Sequence, residues 1–419
     1  MKALAITSKG IEDITALEIK ELINSKAEVK DNCVIFNIKK LEELSLLCYK
    51  AQSVEKILFL LDNFNFKDFN KEIKKVIAKI DFSKWLDKTT TFRVTCKLLK
   101  SEISKGLGMS EKQSFSEHTP KSKISDDSKN FQSKIDNENL HSEETAANVG
   151  ALIIKNIKKN KKYNQKVELD NPDITFLIFI NKNSAYFGID FSGRDLHKRE
   201  YKLFAHPASL RSTIAYSLLR IADLKEKQIM LDPFCHSGEI PIEAALFTTN
   251  FPVNYYSKEK FAFTKFKPLN KFNFTKFFKD IDKKITKPKK ALVNCFDNKT
   301  TNLNAAKKNA KIAGIHKVLN FSRMETEFLE IKLDKQSADK IITHPPDPTR
   351  TANPKDIEKL YDEFFYQSEF ILKKKGKILT ITKQTELLKE AAKKHKFKPE
   401  QEREVWSGKQ KFEVVVFSK

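Results

Sequence analysis

The chain has 419 residues, with 78 Lys and Arg against 55 Asp and Glu, a formal charge of +23. That length predicts two or three domains rather than one core. The charge suits a polyanion, because each neutralised phosphate releases counterions; an AT-rich genome, visible in 33 Phe and only 10 Gly, explains part of the lysine content without any binding role. Cys33, Cys48, Cys96, Cys235 and Cys295 are scattered and form no C-x-x-C pair, which excludes a disulfide framework and a zinc ribbon. The segment Met1–Thr7 is too short for a signal peptide, and no run approaches the roughly 18 apolar residues of a membrane span. A soluble, cytoplasmic monomer that binds no metal is expected.

In chain order, Lys2–Thr7 reads as a strand, Ile11–Ile23 as a helix (Ile14, Leu17, Ile19, Leu22), Val29–Ile38 as one alternating strand and Leu41–Tyr49 as a helix. This is an α+β, ferredoxin-like unit over 1–60. A second domain is expected over 61–195. It contains the strand Thr91–Cys96, the helix Ser142–Ile157 and the strands Lys166–Leu169, Ile174–Ile180 and Ala185–Ile189. Inside it, 104–138 loses periodicity and fills with Ser, Lys, Asp and Asn, as a disordered insertion does. A basic linker, 196–208, follows.

From 209 to 419 helix and strand alternate. Helices are predicted at Leu210–Ala222, Ile240–Phe247, Thr301–Ala313 and Lys355–Leu372. Strands are predicted at Ile229–Leu231, Ala291–Phe296, Val318–Phe321, Lys340–Thr343 and Lys377–Thr382, with a closing hairpin of Glu402–Trp406 and Lys411–Phe417. This is the pattern of an α/β, doubly wound, Rossmann-like parallel sheet with an antiparallel end.

The run Ile229 to Ala245 carries the most chemistry. An apolar strand ends in Asp232, and a tight loop with Gly238 opens a helix, so backbone N–H groups face a ligand at the carboxyl edge of the sheet. Ile341-Ile-Thr-His344-Pro345-Pro346-Asp347 repeats the pattern of apolar strand and polar loop. Asp297 ends another strand, where a carboxylate accepts ribose hydroxyls or simply caps the next helix; both readings stay open. Lys158–Lys162 and Lys373–Lys375 read as solvated faces.

Several of these motifs together resemble the THUMP-domain class I RNA methyltransferases, of the tRNA guanine-N2 type. They include Phe92–Cys96, His141-Ser142, Val149-Gly150, Gly188–Arg199, His206–Arg211, Asp232–Glu243 and Lys260–Phe263. The resemblance implies S-adenosylmethionine as cofactor, held by Asp232, Phe234, His236, Gly238, Asp297 and Glu325. It also implies a tRNA partner, its acceptor-stem end captured by the THUMP region. In that family the fourth-strand loop usually reads Asn-Pro-Pro-Tyr. Its Asn side chain and first Pro carbonyl accept the two protons of the guanine amine, while the aromatic ring stacks on a flipped base. Here His344, Pro345, Pro346 and Asp347 stand there; an unprotonated imidazole nitrogen still accepts one hydrogen bond, whereas Asp347 offers no ring.

His236 replaces a family glycine and Glu239 a threonine. Two outcomes therefore stand: methylation retained, or a catalytically degenerate body that binds tRNA without methylating it. Methylation of a DNA adenine or a small molecule is a third, which leaves the first 200 residues without a use. Arg194, Lys198, Arg199, Lys202 and Arg350 are the expected phosphate contacts, lying between or beside the RNA-capturing and catalytic parts.

Overall fold

A computed structural model of the chain describes residues 1–99, 141–348 and 353–419. The expected insertion 104–138 and Arg350 lie outside the described residues. Two compact units emerge: Met1–Ile57 with Phe191–Thr264 and Lys271–Lys419, and Leu58–Asp190 with Lys265–Asn270.

In the first unit, strand β1 (Lys2–Ile6) leads into helix Glu12–Ile23. A hairpin of β2 (Ala27–Lys30) and β3 (Cys33–Asn37) follows, then helix Glu42–Lys50. The hairpin replaces the single strand expected over Val29–Ile38. Asp31-Asn32 turns the chain, with Asn32 at φ +61°, a left-handed conformation that Asn tolerates cheaply. β3 pairs antiparallel with both β1 and β2.

The second unit holds β4 (Lys56–Asn65), helix Phe69–Lys79, β5 (Thr91–Leu99), helix Ser142–Lys161, β6 (Lys166–Val167), β7 (Ile174–Asn181) and β8 (Ser184–Asp190). Its strands run in the order β4-β8-β7-β5-β6. Eight-residue β7 is almost wholly buried and pairs parallel with β5 and antiparallel with β8. β4 and helix Phe69–Lys79 were not among the expected elements, although Phe69, Ile73, Val76 and Ile77 bury one face of that helix.

The rest of the first unit is the doubly wound sheet. Its strands are β9 (Met230–Asp232), β10 (Val293–Asp297), β11 (Leu319–Arg323), β12 (Ala338–Thr343), β13 (Leu372–Thr382), β14 (Lys398–Ser407) and β15 (Gln410–Ser418), in the order β11-β10-β9-β12-β13-β15-β14. β9 to β13 are parallel, and β15 joins β13 antiparallel, as the alternation predicted. The connection order reverses between β9 and β12, so a ligand crevice is expected outside their carboxyl ends. Helices Phe274–Asp282 and Glu386–Lys394 were not anticipated; both are only nine residues long, although apolar residues recur on one face of each.

One core links the N-terminal segment to the sheet: Ile11 and Ile14 pack with Leu210, Ile214, Leu218, Val405 and Val414. A buried polar knot does the same. Arg199 donates from Nε to Glu243 Oε1 at 3.0 Å and from Nη2 to the Gln52 carbonyl at 2.6 Å. Gln52 Nε2 and the Tyr201 hydroxyl complete the carboxylate at 2.6 and 2.8 Å. Breaking such a fully paired buried ion costs far more than the pair contributes, so the knot fixes register.

Candidate functional site

β9 ends at the switch point in Asp232, whose side chain is 1% exposed. Its Oδ1 accepts the Thr343 hydroxyl at 2.6 Å and the Phe234 N–H at 3.2 Å. No cation faces it among the described residues, and burial pushes the carboxyl up to about 8. An acid desolvated without a counterion is a natural receptor for a cationic group.

The loop after β9 turns tightly. His236 sits at φ +48° and Gly238 at φ +90°. A β-carbon on Gly238 would meet Ala306 Cβ at 3.0 Å, so glycine permits both the left-handed turn and the approach of helix Thr300–Ile312. Asn309 clamps the loop from behind, donating to the carbonyls of Ser237 and Phe204, each at 2.9 Å.

Asp297, at the end of β10, holds three donors. Oδ1 accepts the Lys299 N–H at 2.9 Å and Asn302 Nδ2 at 3.0 Å, and Oδ2 accepts the His236 N–H at 3.0 Å. A carboxylate offers about four lone-pair sites, so little acceptor capacity is left. Lys299, not Asp297, is the N-cap of helix Thr300–Ile312, so the expected capping role is not realised, and Asp297 instead ties β10 to the β9 loop. Next to it, Asn298 Nδ2 donates to Glu325 Oε2 at 3.1 Å, bridging the ends of β10 and β11.

Glu239 opens helix Glu239–Thr248, where a negative charge favours the helix dipole. Its Oε1 accepts the hydroxyls of Ser237, at 2.8 Å, and Ser209, and Lys202 Nζ stands 3.5 Å away. The charge is thereby balanced within the protein.

His236 fills space that its family-glycine counterpart would leave open. Its ring stacks on His206, with centroids 4.4 Å apart and planes 15° from parallel, and its Nε2 lies 3.0 Å from the His344 carbonyl. Burial, then the neighbouring His344 and His206, push His236 down to about 4, so the ring is neutral near pH 7. Among the described residues, Nδ1 of His236 and Nδ1 of His344 are buried without partners. His344 Nε2 faces Asp347 Oδ2 at 3.6 Å. Asp347 Oδ1 accepts the Lys383 N–H at 2.9 Å, and the Tyr361 hydroxyl donates to the Pro346 carbonyl at 2.7 Å. Among the described residues nothing donates to the Pro345 carbonyl.

Two cavities meet at this edge. A narrow cleft, with room for little more than a water molecule, is lined by Asp232, Phe234, His236, Glu239 and His344. An open cavity of about 200 Å³ is lined by Phe234, Asn298, Met324, Glu325, Pro346 and Leu360. The sequence-predicted cofactor and loop residues thus converge, with Phe234 lining both cavities. His206, Asn298, Thr343 and Tyr361 were not singled out as site residues; the family-like context of His206 and the Phe296-Asp297-Asn298 run were their only signals.

The basic linker behaves otherwise. Arg199 is 5% exposed and spent on the buried knot, so its guanidinium does not reach a phosphate. Arg194 pairs with Glu200 at 2.8 Å, and Lys202 donates to the Leu210 carbonyl beside Glu239. Lys198, paired with Asp195 at 2.9 Å, is the one whose side chain is 72% exposed. Spacing alone did not distinguish lysines and arginines that answer buried acids from those that face water.

Comparison with known proteins places these features. Residues 199–412 match the family model of the RMKL-like methyltransferase domain, and residues 67–190 match that of the THUMP domain. The chain is 28% identical to the tRNA (guanine(6)-N2)-methyltransferase of Methanocaldococcus jannaschii over 96% of its length and 95% of the relative's. It is also 28% identical to the Archaeoglobus fulgidus protein of the same name, over 64% of each chain. The solved structure of TrmN from Thermus thermophilus shares the fold, with a TM-score of 0.67 at 19% identity over 100% of this chain and 99% of that one.

Proposed function

The chain belongs to the RMKL-like methyltransferase family, and we propose that it transfers a methyl group from S-adenosylmethionine to the exocyclic N2 of a guanosine in tRNA. The observation that carries this reading is the end-to-end similarity to the Methanocaldococcus enzyme, which spans the THUMP and methyltransferase parts together. Guanine 6, named in that relative, is the first target position to examine.

The residues present fit the cofactor. Asp232 is a buried carboxyl lacking a cation, suited to the ammonium of the methionyl end. The cavity bounded by Phe234, Asn298, Met324 and Glu325 suits a planar base with a polar edge. When bound, the cofactor supplies an electrophilic methyl on a sulfonium.

A guanine amine is a weak nucleophile because its lone pair is delocalised into the ring. Pro345, through its free carbonyl, and His344, through its unpartnered Nδ1, are the two acceptors for the amine protons; together they localise the lone pair. Asp347, facing His344 Nε2, favours the tautomer that leaves Nδ1 as acceptor. Tyr361 fixes the loop through the Pro346 carbonyl.

One observation favours the second reading, a tRNA-binding body without catalysis: the His236 ring occupies the narrow cleft. The test is transfer of labelled methyl from S-adenosylmethionine to a tRNA transcript, with inosine replacing guanosine in a parallel transcript. Label on the guanosine RNA alone is the expected result. Equal label on both, or tRNA binding without any transfer, overturns the proposal.

A further inference from the structure

In doubly wound folds a helix returns to the next strand through about two to six residues. Here the return from helix Glu239–Thr248 to β10 runs over residues 249–292 and carries a structure of its own. Within it, residues 271–290 hold eight lysines against two aspartates. Both acids are already engaged, Asp280 with Lys283 and Asp282 with Lys258 and the Tyr49 hydroxyl. Lys271, Lys276, Lys284, Lys287, Lys289 and Lys290 are exposed and, among the described residues, pair with no carboxylate. Some lysines elsewhere in the unit are answered, as Lys377 is by Glu400, Lys389 by Glu402 and Lys411 by Glu404.

This uncompensated charge surrounds rings. Helix Phe274–Asp282 is anchored by Phe278, whose ring packs on Tyr49 at 4.8 Å. Its outer side, with Phe272, Phe277, Lys276 and Lys284, lines an open groove of about 490 Å³. Phe272 and Phe277 meet at 5.5 Å and are only half-buried. Phosphate-sized charges beside an accessible aromatic face are the combination that binds unpaired nucleotides.

We propose that this face is a second RNA-contact surface, carried by the catalytic unit, that takes phosphodiester groups on Lys276 and Lys284 and stacks one nucleobase on Phe272. It rests on the reading of tRNA as the substrate. The full chain is titrated with a fluorescent tRNA transcript across a salt series, as wild type, as the K276E/K284E double variant and as F272A. S-adenosylhomocysteine affinity and thermal stability serve as folding controls. The double variant is expected to lose about tenfold or more in affinity near 0.1 M salt and to lower the salt slope by about two. F272A is expected to lose about tenfold with an unchanged slope. Wild-type affinity and slope in both variants overturn the inference and leave the proposed function standing. Loss of binding to phosphatidylserine vesicles, with tRNA binding intact, overturns it in favour of a lipid surface. A wild type that binds no tRNA overturns the inference and the functional reading together.

Discussion

The imidazole of His236 lies flat against that of His206, 4.4 Å between centroids, and reaches the His344 carbonyl from inside the cleft that Asp232 borders. In the proposed cofactor placement, with the methionyl end at Asp232, the ring stands in the way of that group. Replacing His236 with Gly removes the ring and relieves a left-handed residue. S-adenosylhomocysteine is expected to bind the H236G variant about tenfold more tightly, an amount in keeping with one displaced contact. Adenosine, which lacks the methionyl end, is expected to bind both proteins alike. Calorimetry with the two ligands checks this, and weaker S-adenosylhomocysteine binding by the variant would assign His236 a holding role instead.

Asp232 links affinity and stability to pH. Burial raises the carboxyl to about 8 from an ordinary value of 3.8, so the folded chain keeps a proton that the unfolded chain has shed. Its stabilising contribution is full below about pH 4 and is lost as pH rises toward 8. Asp232→Asn removes that titration, and at pH 8 the variant should be roughly 2–4 kcal/mol more stable than wild type, the two converging near pH 4. Because a cationic ligand favours the ionised form, wild-type S-adenosylmethionine affinity should rise between pH 6 and 8, with proton release on binding. Urea melts and calorimetry in buffers of different ionisation enthalpy measure both.

Arg199 was a phosphate candidate on spacing and is a buried anchor in the fold. Arg199→Met strands Glu243 without its cation and should cost about 3–5 kcal/mol in urea unfolding. The salt slope of tRNA binding should stay that of wild type. A lowered slope with unchanged stability would return Arg199 to the RNA interface.

In the proposed reaction His344 orients the amine through Nδ1. His344→Ala should lower kcat by roughly 100-fold with little change in tRNA KM. His344→Asn, which restores a carbonyl oxygen, should recover much of it. Equal loss in both variants would show that the ring merely packs, as its edge contact with Phe412 at 5.8 Å allows.

The alternating sheet was legible because β9, β10, β12 and the second half of β13 are largely buried on both faces and read as short apolar runs between turn residues. The loop glycine was legible as well, since Gly238 stands between a strand-ending acid and an apolar helix. What depended on long-range partners was not. Nothing near Arg199 in sequence announces Glu243 or Gln52, and only the fold brings His206 beneath His236. The role of Asp297 shows the same limit: its position beyond a parallel strand is local, while the three donors that use its oxygens come from two separate segments.

Nucleoside mass spectrometry, mapped by position, on a tRNA transcript incubated with the purified chain and S-adenosylmethionine tests the central claim most directly. N2-methylguanosine at a single position, with guanine 6 the expected site, is the predicted result. A transcript returned unmodified by both wild type and H236G would contradict the account.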